Sequence, residues 1–220
     1  GVSLTDIAWV VTAYAIANVI VVPMTSWLSQ QFGRRNYFAA SIIIFTVASF
    51  LCGNATTLWE IILFRFIQGL GGGALLVTSQ TIITESYPPE KRGLAQAIYG
   101  MGVIVGPTLG PPLGGFIIDN WSWPSIFSIH IPIGIIAVLT MSFVKSPKYA
   151  EKSKLSQVDF IGIILLAIAV GSLQYVLEHG QQDDWFENST IVLLSLSSFF
   201  GFILFVWREL VFDHPIVNLR

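Results

Sequence analysis

Residues 102–115 read GVIVGPTLGPPLGG, in which Gly102, Gly106, Gly110 and Gly114 recur at every fourth position. On a helix this spacing lines one face with glycine, and Pro107 and Pro111 line the adjacent face. In water such a helix is poor: each internal glycine costs about 0.5–1 kcal/mol and each internal proline about 3 kcal/mol. In a bilayer no water competes for the backbone. Helical hydrogen bonding is then enforced, and glycine at every fourth position lets two backbones approach closely. The surrounding run, 93–118, carries no charge. The stretch reads as a membrane helix built for close contact and bending. A static packing seam and a moving one fit it equally at this level.

Composition agrees. Hydrophobic residues make up 54% and charged residues 11%, against about a quarter charged in soluble domains. The net charge of −2 offers nucleic acid no basic footprint. Cys52 is the one cysteine, so no internal disulfide can form. The chain starts at Gly1 with neither an initiator Met nor a signal-peptide pattern, and is read as an internal cut or a processed end.

Charges divide the rest into spans. Uncharged runs cover 7–33, 36–59, 93–118, 120–144, 160–177 and 188–207, and a further run, 61–84, is broken only by Arg65. A spanning helix needs about 20 mostly apolar residues. Seven spans are predicted, at 7–28, 38–54, 58–84, 93–118, 125–144, 159–178 and 188–208. The fold class expected is all-α, a polytopic membrane helix bundle. A β-barrel would alternate in ten-residue segments, which these runs do not.

The gaps give an orientation. Arg34 and Arg35 lie in the first, Lys91 and Arg92 in the third, and Lys145, Lys148, Lys152 and Lys154 in the fifth; Arg208 and Arg220 follow the last span. The even gaps hold no Lys or Arg but do hold Asp119, Glu178, Asp183, Asp184 and Glu187, with Glu60 at a span edge. Cytoplasmic loops concentrate Lys and Arg. The odd gaps are therefore expected in the cytoplasm and Gly1 outside, an arrangement that one additional upstream helix would reconcile with the lack of a signal peptide. The tryptophans at 9, 27, 59, 121, 123, 185 and 207 all fall near span ends, as an interfacial belt requires.

Arg65 is the basic residue that breaks this pattern. An unpaired arginine inside a bilayer costs about 2.5–3.5 kcal/mol or more. It must snorkel to the interface, face a watery cavity or pair with a carboxylate. Gln68, Gly69, Gly71, Gly72, Gly73, Thr78, Ser79, Gln80 and Thr81 follow it, and this small, polar run favours a cavity. No acid sits mid-span nearby, so a partner carboxylate is expected from outside this chain.

These residues carry a family resemblance. The chain resembles the major facilitator superfamily, and within it the fourteen-helix drug–proton antiporters of the EmrB/QacA type, from about residue 9 to 219. FRFIQGLG at 64–71 resembles the family's R-x-x-Q-G motif of helix four, and GPTLGPPLGG at 106–115 its antiporter motif of helix five. WPSIFSIHIPIG at 123–134 is similar to the stretch leading into helix six. Asp159, Gly162 and GQQDDWF at 180–186 resemble the two extra helices of the group, and HPIVNL at 214–219 the segment after them. The resemblance implies family helices two to eight. Residues 1–144 would form a partial six-helix unit lacking its first helix, and 145–158 a cytoplasmic basic loop. Two linker helices would occupy 159–210, and 211–220 would start the link to a missing C-terminal half.

Two departures stand out. The family's loop motif between helices two and three reads about G-x-L-[AS]-[DE]-R-x-G-R-[KR]; here SWLSQQFGRR at 26–35 keeps Gly33, Arg34 and Arg35 but puts Ser26, Gln30 and Gln31 where glycine, the acid and the arginine stand. The latch that the acid provides in the family should be weaker or built elsewhere. His130 replaces the usual Asn; a neutral ring there would bond a carbonyl freed by Pro132, and a protonation role is the other reading.

Enzyme readings have little support. His179 and His214 lie in predicted loops, no Gly-x-Ser-Gly, His-Glu-x-x-His or Cys/His cluster is present, and the glycine run 71–73 is not followed by the Lys-Ser/Thr of a phosphate loop. The resemblance implies proton-driven export of amphipathic organic compounds, with no cofactor beyond the proton gradient. Arg65 would relay or tune protonation of a carboxylate elsewhere. Gly102, Gly106, Gly110, Pro111, Gly114 and Gly115 would form a bending, leak-tight seam, and Tyr14, Asn18, Gln68 and Gln96 would offer polar groups to a cavity. The partners implied are the lipid bilayer, a small amphipathic substrate, the remaining half of the transporter and a periplasmic adaptor protein, in a cell membrane. An exporter of another metabolite on the same fold and a non-transporting membrane subunit are the alternatives.

Overall fold

Gly33 separates the first two helices, and its φ of 82° shows why glycine stands there: a side chain at that angle is strained. The computed structural model describes residues 4–143, 159–212 and 215–217. Helix α1 spans Leu4–Phe32 and α2 spans Arg34–Gly53. Helix α3, Leu58–Ser86, starts with a capping box: the Glu60 N–H donates to Thr57 Oγ1, and the Glu60 carboxylate accepts from the Thr57 N–H. Two of the orphan donors of the first turn are thus satisfied. Helix α4, Arg92–Asn120, runs unbroken through Pro107, Pro111 and Pro112, as bilayer helices tolerate. Short α5, Ser125–Ser128, precedes α6, His130–Ser142. Helices α7, Phe160–His179, and α8, Ser189–Val211, form a hairpin, capped at their N-termini by Asp159 and Asn188.

Six of these helices are long and apolar enough to cross a membrane. They correspond to six of the seven predicted spans. The seventh, 125–144, is described to residue 143 and forms α5 and α6, an apolar helical segment whose turn at Ile129 keeps helical backbone angles. Pro132 has no N–H to return to the Ser128 carbonyl, so one hydrogen bond is lost there while the backbone stays helical through Ile129. The basic residues Lys145, Lys148, Lys152 and Lys154, together with His214, Asn218 and Arg220, lie outside the described residues.

The interior is built of small residues. Ala13, Ala17, Ala48, Ala74 and Ala169 are buried, together with Ser41, Ser49, Thr12, Thr25 and Gln68. Large apolar side chains such as Trp59, Leu63, Ile104, Phe199 and Trp207 point outward. Lipid gives no hydrophobic drive between helices, so small contacts and hydrogen bonds hold them. Buried hydroxyls are satisfied locally: Thr25, Ser41 and Ser49 donate to carbonyls one turn back at 2.7–3.0 Å.

Helix α3 is the centre. A Cβ on Gly69 would sit 2.5 Å from the Tyr14 carbonyl oxygen of α1, and one on Gly71 would sit 2.8 Å from the Phe45 nitrogen of α2. Both positions bring backbone against backbone. The α7–α8 hairpin closes where Gly201 meets Ala169, and Ser198 Oγ donates to the Ala169 carbonyl at 2.8 Å. The hairpin docks on α1 through Met24, Leu166, Phe205 and Ile216.

Candidate functional site

Arg65 points inward, between α3 and α1. Its Nε donates to the Val10 carbonyl at 3.1 Å and its Nη1 to Gln68 Oε1 at 2.8 Å. Gln68 Nε2 donates onward to Ser49 Oγ at 2.7 Å, so a single polar chain ties α1, α3 and α2. The guanidinium carbon lies 4.3 Å from the Tyr14 ring centroid and 5.8 Å from that of Phe127, where the ring faces attract the cation. The side chain is half-buried, with its Nε and Nη1 donors turned to the neighbouring helix and to Gln68. It makes no ion pair among the described residues. A backbone carbonyl, an amide oxygen and two aromatic faces hold the charge, which leaves its arrangement sensitive to any move of α1.

Tyr14, Gln68 and Arg65 are thus brought together. Asn18 lies one turn further along α1, donating to the Tyr14 carbonyl at 2.9 Å and packed against Gly73. These groups lie along the α1–α3 seam, where Tyr14 and Asn18 are partly exposed and Gln68 is fully buried. Gln96 stands apart: it donates to Thr84 and receives a 3.4 Å bond from Gln80, fastening α4 to the end of α3. Gly69, Gly71 and Gly73, read as cavity residues with the polar run after Arg65, are instead the close-contact face of α3. Their missing side chains are filled by α1 and α2.

The α4 glycines lie differently. Nothing among the described residues comes within 4 Å of a Cβ placed on Gly102, Gly106, Gly110, Gly114 or Gly115. Gly102, Gly106, Pro107 and Tyr99 of α4 line an open cavity of about 630 Å³ whose other side is Leu76 and Ile83 of α3, with Tyr87. A second cavity of about 490 Å³, almost entirely apolar, is lined by Phe45, Thr46, His130 and Gly134. The His130 ring meets Phe45 edge-on at 5.3 Å.

At the opposite end from Arg65, Arg34 pairs with Glu85 beside the end of α3, and Arg35 Nε donates to the Met141 carbonyl of α6 at 3.1 Å. Glu85 thus supplies an acid near the loop motif where Gln30 does not; Gln30 only reaches Ser26 at 3.4 Å.

Several partners were invisible in the sequence. The Val10 contact is a main-chain oxygen, which no residue type announces. Thr12 Oγ1 donates to Glu178 Oε1 at 2.9 Å across 166 positions. Helix α1 therefore touches Arg65 on one side and the carboxylate of Glu178 on another within a single turn.

Known proteins place this architecture. The model of the Major Facilitator Superfamily matches residues 1–216. Multidrug export protein EmrB of Haemophilus influenzae and of Escherichia coli are each 39% identical over 219 residues. Fatty acid resistance protein FarB of Neisseria gonorrhoeae is 39% identical over 220 residues. Each alignment covers 100% of this chain and 43% of the relative, so the chain spans less than half the length of these relatives. A bacterial homolog of the lysosomal transporter Spinster shows a looser likeness, with a TM-score of 0.43 at 17% identity over 96% of this chain and 62% of that one. The match along nearly the whole chain, and the long apolar helices it falls on, agree: the chain belongs to the Major Facilitator Superfamily.

Proposed function

We propose that this chain forms part of a proton-driven exporter of amphipathic organic compounds in a cell membrane. The observation that carries the reading is Arg65, a buried-side cation held by neutral groups between two packed helices. An arginine in that setting biases the protonation of any carboxylate brought near it. The relatives' names, for multidrug export and fatty acid resistance, support amphipathic cargo. Relatives of this kind are transporters, and the reading assigns no enzymatic step. The glycine face of α4 would meet the remaining half of the transporter, and an adaptor protein would engage the face bearing Asp183, Asp184 and Glu187.

The test is export of a fluorescent amphipathic dye by the intact transporter in proteoliposomes with an imposed pH gradient. Export is expected to accelerate when the gradient drives protons opposite to the dye and to stop when a protonophore is added. Export at an unchanged rate without the gradient would sink proton coupling.

The reading also fixes an orientation, with Arg34, Arg35, Lys91 and Arg92 in the cytoplasm. Single cysteines Lys91→Cys and Gln182→Cys in a Cys52→Ala background test it. In intact cells an impermeant maleimide is expected to label position 182 and spare position 91. The reverse pattern inverts the topology.

A further inference from the structure

The base of the α7–α8 hairpin holds two buried carboxylates and one cation. Asp159 is 1% exposed and Glu209 0% exposed. Asp159 Oδ1 accepts from the Gly162 N–H at 2.9 Å, and Arg208 Nε donates to Oδ1 at 3.2 Å and to Oδ2 at 3.0 Å. The Arg208 guanidinium also lies 4.3 Å from the centroid of the Phe212 ring. Its charge is committed to Asp159. Among the described residues Glu209 makes no ion pair. Its Oε2 accepts from the Val217 N–H at 2.9 Å, while Oε1 is buried without a hydrogen bond among the described residues.

The two carboxylates converge on one point. A Cβ on Gly162 would lie 2.8 Å from Asp159 Oδ2 and 3.0 Å from Glu209 Oε1. Both oxygens therefore face the same bare glycine, and glycine is what leaves room for them. Helix α1 contributes Met24, Trp27 and Leu28 to this base, none of them charged. Among the described residues, Arg208 is the cation facing the pair, set against two acids. A buried ionised carboxylate with a stranded oxygen costs several kcal/mol, and two carboxyl groups sharing one site commonly hold one proton between them.

We propose that Asp159 and Glu209 form a proton-binding pair, with the proton on Glu209 Oε1 and directed toward Asp159 Oδ2. Binding is simple addition of a proton to one carboxylate, and it leaves Asp159 ionised against Arg208. Neutral Glu209 keeps Oε2 free to receive the Val217 N–H. That bond brackets residues 215–217 beneath the hairpin, where Ile216 fills the cluster of Met24, Leu166 and Phe205. The site is separate from Arg65 and stands whether or not the chain works in drug export.

Infrared spectroscopy of the intact protein in lipid nanodiscs at neutral pH tests this. The carbonyl stretch of a protonated carboxylic acid is expected in the wild type and is expected to be missing in Glu209→Gln. Glu209→Gln should accumulate at the wild-type level, because the amide is a neutral isostere that can donate to Asp159 and accept from Val217. Asp159→Asn should also abolish the band with Glu209 in place, since Arg208 then turns to Glu209 and the proton leaves. A wild type without the band, a band unchanged in either variant, or failure of Glu209→Gln to accumulate overturns the proposal.

Discussion

Arg65→Ala is expected to bring export by the intact transporter to background. The substitution strands Gln68 Oε1 on a fully buried side chain and removes the Arg65 bond to the Val10 carbonyl, which keeps its helical partner within α1. The stranded acceptor costs about 1–3 kcal/mol, and loss of the cation over Tyr14 costs about 0.5–2 kcal/mol more. The contact between α1 and α3 should loosen accordingly, and the charge that would bias a partner carboxylate is gone. Arg65→Lys keeps the charge but replaces a planar fork with a single ammonium. It cannot reproduce the same paired reach to Val10 and Gln68, so partial export is expected. The measurement is dye export from proteoliposomes under a pH gradient, normalised to folded protein. Wild-type rates per folded molecule in Arg65→Ala would reduce Arg65 to a staple between helices.

The second large effect separates two glycine faces that look alike in sequence. Gly69→Ala places a methyl group 2.5 Å from a backbone oxygen of α1 and 2.7 Å from Ala17 Cβ. Neither neighbour is a flexible chain end, so α1 must move. A loss of about 1–3 kcal/mol or more is expected, read as a lower midpoint of thermal unfolding in detergent. Gly110→Leu should leave that midpoint nearly unchanged, because nothing among the described residues lies within 4 Å. It should nonetheless abolish export, since the proposed function sets this face against the rest of the transporter. Full export by Gly110→Leu would make the α4 face lipid-exposed. A wild-type midpoint for Gly69→Ala would contradict the tight α1–α3 contact.

The helices were legible because uncharged runs and their basic or acidic punctuation are one-dimensional signals. Arg65 was legible for the same reason, as a charge inside a run. Its surroundings were not. A main-chain oxygen at Val10 carries no mark in sequence, and Ser49 and Phe127 are ordinary bilayer residues. The two glycine patterns show the limit most plainly. Gly69 to Gly73 read as part of a cavity-facing run and Gly102 to Gly114 as a close-contact face, yet it is the first that α1 and α2 fill, because that depends on the neighbours the fold delivers. The basic loop at 145–158 and residue His214 lie outside the described residues.

Helix α4 carries a consequence for how the protein is made. No residue in its most apolar window is buried, whereas α3 on one side of it is the most enclosed helix of the six. Helices α1, α2 and α3 close on one another through contacts that do not involve α4. Among the described residues α4 meets chiefly the far part of α3 and short α5, with bare backbone along its glycine side. Closure of α1, α2 and α3 is therefore expected not to wait for α4, and these three helices should pack whether or not α4 has found cover.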